Sequence, residues 1–222
     1  MRTAVIIPAF NEASRISEVL AAACTAQGVD EVIVVVDGGD DGTAEVARRF
    51  ERVKVIELQE NIGKGGALVA GVRATMAEVL VFVDADLAGL KSEHISAVLL
   101  PIAQDRKDMV VGVFSDGRFW SDTAQRMSPE YSGQRALRRW LFEAVVSPKE
   151  MRFGIEIGLN YAAKSLQARV GSVALPGVTH HHKEAKWGIV RGAAARARMY
   201  AEMGKAYVKV HQHERNATRT RH

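Results

Sequence analysis

Two aspartates separated by a single residue could hold a metal ion. Asp84 and Asp86 follow the apolar run of residues 80–83, and Leu87 comes directly after them. Carboxylate oxygens are the ligands that Mg²⁺ and Mn²⁺ prefer, and such an ion can bridge to phosphate oxygens. A capping acid beside a solvated acid is the structural alternative. Because burying two carboxylates against an apolar run is costly without a cation or donors, the pair indicates a metal site.

Polar and small residues also follow other apolar runs. Asp37 ends the run of residues 31–36, and the two glycines behind it would let a planar ligand approach the backbone. Its carboxylate is suited to accept hydrogen bonds from the N–H of a base. The loop of residues 61–66 combines glycines with Lys64, which suits a phosphate or the edge of a base. Its spacing matches neither a Walker A loop nor the dinucleotide fingerprint.

Strand and helix patterns alternate through the first half of the chain. Units of this kind form parallel sheets with right-handed crossovers, and ligands bind beyond the carboxyl ends of the strands. The predicted strands are residues 4–8, 31–36, 53–57 and 79–83, separated by helices over 13–26, 42–52 and 66–76. In the second half, strands are predicted over 108–114 and 170–175, helices over 132–146, 156–166 and 188–210, and a polar loop over 115–131.

The composition is that of an ordinary globular protein. The chain has 222 residues, of which 47% are hydrophobic and 25% are charged. Its single cysteine, Cys24, excludes an internal disulfide and a Cys-rich zinc site. We expect one domain over residues 1–210 and a basic, disordered tail over 211–222. The apolar run of residues 4–7 is too short for a signal peptide, so we expect a cytoplasmic protein.

Positive charge is concentrated at the C-terminal end. Residues 183–222 hold 10 Lys and Arg against 3 Asp and Glu, whereas residues 1–182 hold 20 against 23. This asymmetry favours an anionic partner, and we expect peripheral contact with the inner face of a membrane rather than with nucleic acid. A solvated basic helix with a frayed end is the alternative. A homodimer is left open as a further assembly.

Four motifs in chain order resemble those of nucleotide-sugar glycosyltransferases of the GT-A fold. They occupy residues 7–12, 36–43, 61–68 and 84–87. The resemblance is to family 2 and to the related glucosyl-phosphoglycerate-synthase-like group. It departs at Val36, where the usual first acid of the second motif is missing, and at Gly39, where a serine is usual.

The resemblance implies an α/β fold of the GT-A, Rossmann-like type, with three α/β/α layers and a mostly parallel central sheet. It also implies transfer of a sugar from a UDP- or GDP-type donor with Mg²⁺ or Mn²⁺. Asp86 would bind the ion and act in catalysis, Asp84 would contact the ribose or the ion, and Asp37 would face the base. The remaining nucleotide-sugar contacts would come from Pro8, Ala9, Asn11, Glu12 and Lys64.

The acceptor side of the site is implied by later segments. Glu156 stands alone in an apolar stretch and resembles the family's acceptor-side acid, which would serve as a base. A helix N-terminal acid is the alternative. Gly133, Gln134 and Arg135 resemble a segment near the acceptor or the diphosphate, although the arginine also fits the basic face of a helix.

Three consecutive histidines follow a Pro-Gly turn near the end of the predicted domain. Relatives of the phosphoglycerate type suggest that one imidazole is a further metal ligand. Alternation along an extended segment points His180 and His182 to the same side, so these two are the candidates. An exposed histidine cluster is the structural alternative.

Two other functions are weighed against glycosyl transfer. A nucleotidyltransferase that forms nucleotide sugars would carry a glycine-rich basic loop after the first strand, and residues 10–12 offer none. A non-catalytic nucleotide-sugar-binding protein would not need Asp84, Asp86 and Glu156 together. The acceptor is not readable from the sequence, and a phosphorylated small molecule fits as well as a lipid phosphate.

Overall fold

The computed structural model describes residues 1–115, 132–145, 148, 151 and 154–180. Within them lie the strands β1 (Thr3–Ala9), β2 (Glu31–Asp37), β3 (Val53–Leu58), β4 (Val79–Phe82), β5 (Leu87–Ala88), β6 (Met109–Phe114), β7 (Arg135–Arg138), β8 (Val170–Leu175) and β9 (Thr179–His180). The helices are α1 (Ile16–Thr25), α2 (Thr43–Arg48), α3 (Lys64–Arg73), α4 (Ser92–Ala103), α5 (Arg139–Glu143) and α6 (Ile155–Ser165). The predicted helix over 188–210, the tail over 211–222, His182 and nearly all of the predicted loop lie outside the described residues.

Seven of the described strands form one sheet, in the order β3-β2-β1-β4-β7-β6-β8. β7 is antiparallel to both of its neighbours, and every other pairing in the sheet is parallel. The carboxyl ends of six strands therefore meet at one edge, and β2 and β4 extend the sheet on opposite sides of β1. This is the edge at which the sequence places its polar loops.

Helices cover both faces of the sheet, because the buried strands are apolar on both sides. Val5 and Ile7 of β1 pack towards α1, α2 and α4, whereas Ile6 between them packs towards α3 and its neighbours α5 and α6. The predicted three-layer α/β/α architecture is confirmed. Among the helices described, none combines the length and the apolar character needed to cross a bilayer.

The predicted helix over residues 132–146 is wrong. Residues Arg135–Arg138 form β7, and within the described part of this range, residues 132–145, only Arg139–Glu143 are helical. Ala136 and Leu137 are completely buried in the middle of the sheet, where β7 pairs with both β4 and β6. These cross-strand contacts override the helical propensity of an Arg- and Leu-rich segment.

One helix, α4, and two short strands, β5 and β9, carry no prediction from the sequence. Helix α4 buries Ile95, Val98, Leu99 and Ile102, an apolar spacing that could have revealed it. The two-residue strands β5 and β9 pair antiparallel, with Leu87 opposite His180 and Ala88 opposite Thr179. Gly89 follows with a φ of 72°, and a Cβ on it would lie 2.3 Å from the carbonyl oxygen of Gly177. A side chain at that glycine would prevent the ribbon from closing.

Arg139 joins α5 to the far end of α3. Its guanidinium donates to the carbonyl oxygens of Val72, Thr75 and Ala77, at 3.1, 2.5 and 2.8 Å. Carbonyls at the C-terminal end of a helix have no partner within the helix, and a cation there also offsets the helix dipole. The arginine therefore stabilises the end of the helix whose first residue is Lys64.

Asp108 anchors the opposite edge of the sheet, away from the polar loops. Its carboxylate accepts from the backbone N, the Nε and the Nη2 of Arg169, at 2.8, 3.0 and 2.9 Å. These hydrogen bonds, which outweigh the opposing effect of burial, lower the pKa of Asp108 from 3.8 to about 2. The carboxylate thus ties the start of β6 to the start of β8.

We expect Asp108→Asn to lower the free energy of unfolding at pH 7 by about 1–3 kcal/mol, because a charge-assisted donor set loses its acceptor. Since the folded pKa lies below the unfolded one, this stabilisation is complete above pH 3.8 and disappears as the pH falls towards 2. Urea denaturation of both proteins at neutral and acidic pH measures it. The free energies of unfolding of the wild type and of Asp108→Asn should converge near pH 2. Asp105→Asn, a change at an exposed aspartate, is the control and should give a smaller difference from the wild type at pH 7. Equal stability of wild type and Asp108→Asn at pH 7 would contradict this account.

Candidate active site

The metal motif and a distant histidine meet at the carboxyl edge of the sheet. Asp84, Asp86 and His180 each offer one ligand atom, and these atoms lie within 4.8 Å of one another. The ribbon of β5 and β9 brings the imidazole there, since Leu87 directly opposes His180. Nδ1 of His180 lies 3.2 Å from Oδ1 of Asp86. The predicted proximity of the two aspartates extends to His180, whereas His182 lies outside the described residues.

The donor set suits a hard divalent cation. Two carboxylates and an imidazole are ligands that Mn²⁺ accepts readily, and the carboxylates also suit Mg²⁺. The ring of Phe114, at the end of β6, packs edge-on against His180 with ring centroids 5.2 Å apart. Phe114 thereby restricts the orientation of the imidazole, and the sequence alone gave no signal for that contact.

His180 lies in an acidic environment. Burial alone would lower the pKa of this imidazole, but the hydrogen bond with Asp86 and the charges of Asp84 and Asp86 outweigh it and raise the pKa. The same carboxylates would attract a divalent ion. A protonated imidazole and a divalent ion would thus compete for the negative charge of the same two carboxylates, Asp84 and Asp86.

Lys64 lies between two acids. Its Nζ is 2.7 Å from Oδ1 of Asp84 and 2.7 Å from Oε1 of Glu156. Burial opposes the charge on each group, yet the pairing raises the pKa of Lys64 and holds the pKa of Asp84 far below its usual range. The lysine is therefore an ammonium and Asp84 a carboxylate at neutral pH. Lys64 is the first residue of α3, so the helix fixes the root of its side chain.

Gln134 and Arg135 lie behind the metal motif. Nε2 of Gln134 donates to Oδ2 of Asp84 at 2.9 Å, and the Gln134 side chain is buried. Arg135 is 1% exposed and donates to the carbonyl oxygen of Ser132 at 2.6 Å and to Oδ1 of Asn160 at 3.0 Å. The predicted role of Arg135 as an anion clamp stays a prediction. The structure places its positive charge inside the fold, close enough to Glu156 and Asp84 to interact with their charges.

Gly133 leaves no room for a side chain. A Cβ there would lie 2.6 Å from Oδ2 of Asp84 and 2.6 Å from Nζ of Lys64. We expect Gly133→Ala to displace this ion pair and weaken Mn²⁺-dependent UDP binding by about tenfold or more, because small misplacements at a site are costly. Calorimetric titration of the folded variant measures the loss.

Gly28→Ala is the control for that substitution. Gly28 has a φ of 82°, but a Cβ on it would meet nothing within 4 Å. It should therefore lower stability and leave UDP binding unchanged. Wild-type UDP affinity in folded Gly133→Ala would contradict the proposed geometry.

Asp37 holds the backbone of a neighbouring loop, a role that the sequence did not reveal. Its buried carboxylate accepts from the backbone N–H groups of Ile62 and Gly63, both at 2.8 Å. It therefore holds the loop that leads into α3 and orients Lys64. Contact between Asp37 and a base stays a prediction.

The loops after β1 and β2 are joined side by side. Oγ1 of Thr43 accepts from the N–H of Glu12 at 2.9 Å, and Oδ2 of Asp41 accepts from the N–H of Ala13 at 3.0 Å. The carboxylate of Glu12 pairs with Arg15 at 2.9 Å. The other predicted nucleotide contacts, Pro8, Ala9 and Asn11, lie at the end of β1 and in this same loop. Their contact with a nucleotide stays a prediction.

The assembled groups define what the site can do. Carboxylates and an imidazole can hold a divalent ion, which would bind and polarise a diphosphate. Glu156, paired with Lys64 on the neighbouring wall, can accept a proton or orient a hydroxyl. The arrangement suits displacement of a phosphorylated leaving group by a hydroxyl.

The chain is similar in sequence to proteins of known name. Residues 4–156, more than half of the chain, match the profile of glycosyl transferase family 2. An undecaprenyl-phosphate 4-deoxy-4-formamido-L-arabinose transferase of Edwardsiella ictaluri is 28% identical over 209 residues, covering 84% of this chain and 63% of that protein. A dolichyl-phosphate beta-glucosyltransferase of Drosophila melanogaster is 32% identical over 139 residues, covering 55% and 43%. The chain thus spans less than two thirds of the length of either relative.

Solved structures share the fold. Glucosyl-3-phosphoglycerate synthase from Mycobacterium tuberculosis, in complex with Mn²⁺, UDP-glucose and phosphoglyceric acid, superposes with a TM-score of 0.72 at 23% identity, covering 92% of this chain and 79% of that chain. The same synthase with Mn²⁺, UDP and glucosyl-3-phosphoglycerate gives 0.68 at 24% identity, covering 91% and 80%. This likeness and the observed layers confirm the predicted GT-A fold. From the match over residues 4–156, the chain belongs to glycosyl transferase family 2.

Proposed function

We propose that this protein transfers a sugar from a nucleoside diphosphate sugar, of the UDP or GDP type, to an acceptor that carries a phosphate. The observation that carries the proposal is the convergence of Asp84, Asp86 and His180 within 4.8 Å, beside the Lys64–Glu156 pair. In a family 2 fold, this group supports a proposal in which a metal–diphosphate would bind beside the two aspartates and an acceptor hydroxyl would lie next to it, at Glu156.

Asp86 and His180, with Asp84 beside them, would hold Mg²⁺ or Mn²⁺. The ion, when bound, stabilises the negative charge that develops on the departing nucleoside diphosphate. The chain itself would bind the nucleotide along the loops after β1 and β2. Glu156 would orient or deprotonate the acceptor hydroxyl, and the paired Lys64 would keep that carboxylate in place.

The acceptor is proposed from the names of the relatives. One relative is named for undecaprenyl phosphate, another for dolichyl phosphate, and the solved synthase was bound to phosphoglyceric acid. Each of these three compounds carries a phosphate group. The basic residues of the segment 183–222 support contact with an anionic membrane surface, which would bring a cytoplasmic enzyme to a lipid phosphate.

A thermal-shift screen tests the donor half of the proposal. UDP, GDP and their glucose and mannose conjugates are each added with Mn²⁺ or with EDTA. The nucleotides that carry one of the two bases should raise the Tm of the protein, and only when Mn²⁺ is present. A ligand at 100 times its Kd stabilises the folded protein by about 2.7 kcal/mol, which such a screen detects. A rise that persists in EDTA, or no rise with any nucleotide, would count against the proposed function.

The acceptor half needs transfer of labelled sugar. With the donor identified, phosphoglyceric acid and a short polyprenyl phosphate in detergent are offered in parallel. Label appearing in one product assigns the acceptor class. Label in neither would refute acceptors of both kinds.

A further inference from the structure

Lys64 joins two elements of the candidate site. Its ammonium is shared between Asp84, which follows β4, and Glu156, which lies in the first turn of α6. Both N–O distances are 2.7 Å, so the two carboxylates point at one positive charge. The metal motif and the acceptor-side acid are thus connected through a single side chain.

The ammonium is closely enclosed. Only 18% of the Lys64 side chain is exposed, against 10% for Glu156 and 21% for Asp84. Gly133 approaches so closely that even a methyl group on it would touch Nζ. The space between the two carboxylates is therefore filled by the lysine.

Two carboxylates that converge on one point also form a donor set for a divalent cation. A resident ammonium satisfies both acids and repels a second cation from that point. The Asp86 carboxylate and the His180 imidazole face each other at 3.2 Å, and each offers a ligand atom within 4.8 Å of one on Asp84. The pocket therefore has one position occupied by a protein cation and another suited to a metal ion.

We propose that Lys64 is a positioning residue that holds Asp84 and Glu156 on one fixed charge and confines the divalent ion to the Asp86–His180 side of the pocket. This inference rests on the proposed function, because it concerns the ion which that function uses. It assigns to Lys64 a task other than contact with the base or ribose, and it explains why an acceptor-side acid is paired with a residue of the nucleotide-side loop.

Binding of Mn²⁺ alone tests the inference, by electron paramagnetic resonance at low salt. Lys64→Met should bind Mn²⁺ about tenfold or more tightly than the wild type, because a positive charge a few ångströms from the ion is removed. Lys164→Met is the matched control, since Lys164 is exposed at the other end of the same helix as Glu156. It should leave Mn²⁺ affinity unchanged. Unchanged affinity in folded Lys64→Met overturns the inference.

A double substitution locates the ion. His180→Ala should weaken Mn²⁺ binding about tenfold or more, because it removes a ligand. Adding Lys64→Met to His180→Ala should restore the affinity, because Asp84 and Glu156 become available to the ion. A double variant that binds as weakly as His180→Ala overturns the inference. Lys64→Arg keeps the charge and should not restore binding.

Two further results separate the causes of failure. If Lys64→Met does not fold, Lys64→Gln replaces it, since the amide still donates to one carboxylate without a charge; the same gain in Mn²⁺ affinity is expected. No Mn²⁺ binding by the wild type would count against the proposed function. Wild-type binding without any gain in the neutral Lys64 variants would overturn the inference alone.

Discussion

We expect Asp86→Asn to abolish Mn²⁺-dependent nucleotide binding in a chain that still folds. Asp86 is 8% exposed and lies within the group of metal-ligand atoms beside His180. The amide preserves the volume but removes the negative charge, so a divalent ion would lose a charged ligand. Affinity for UDP in the presence of Mn²⁺ should fall by about 100-fold or more, as measured by calorimetry.

Asp105→Asn is the control for this measurement. Asp105 is an exposed aspartate at the opposite edge of the sheet, paired with Arg138 and Arg169. Its loss should leave UDP binding unchanged. If Asp86→Asn binds UDP in Mn²⁺ as the wild type does, the ion is not held by the Asp-x-Asp motif.

The second large effect is expected on turnover. Glu156→Gln should bind the donor normally and lose about 100-fold or more in transfer rate, because the neutral amide cannot accept the acceptor proton. Lys64 retains its 2.7 Å contact with Asp84, so the donor side keeps its ion pair. Steady-state kinetics with the acceptor found by the labelling screen, together with UDP titration, separate the two effects.

Transfer with retention and transfer with inversion of the configuration at the sugar's anomeric carbon make different demands on Glu156. If the carboxylate orients the acceptor instead of deprotonating it, the acceptor KM should rise together with the loss of rate. Glu143→Gln, an exposed acid on α5, is the control and should behave as the wild type. Near-normal turnover by Glu156→Gln would leave this acid a role in packing or helix capping only.

The Asp-x-Asp motif was predictable because its chemistry is local. Asp84 and Asp86 directly follow an apolar run, and a parallel sheet delivers such residues to the ligand-binding edge. Residue patterns alone could not pair His180 with Asp86, which is 94 residues away, and only the resemblance to the phosphoglycerate-type relatives suggested that both bind one ion. The pairing of Lys64 with Glu156 is equally distant, at 92 residues.

Three arginines show why the predicted helix over residues 132–146 is wrong. Arg135, Arg138 and Arg139 fit one basic helix face by spacing alone, yet Arg135 and Arg138 belong to the strand β7 and Arg139 begins the short helix α5. Arg135 is buried behind the acids, and Arg138 pairs with Asp105. Arg139 donates a hydrogen bond to the carbonyl oxygen of Val72, at the C-terminal end of α3. Their roles depend on elements that fold against them, and single-sequence periodicity carries no information about those elements.

The ribbon of β5 and β9 also determines when the metal group can exist during biosynthesis. Its second strand, Thr179–His180, follows every strand of the main sheet in the chain, so the imidazole leaves the ribosome after the whole sheet has been made. A nascent chain that ends at β7 carries both aspartates and Lys64 but lacks the third ligand. Closing a 94-residue loop is entropically costly before the sheet exists. We therefore expect Asp84, Asp86 and His180 to come together late in folding, after the strands of the main sheet have formed.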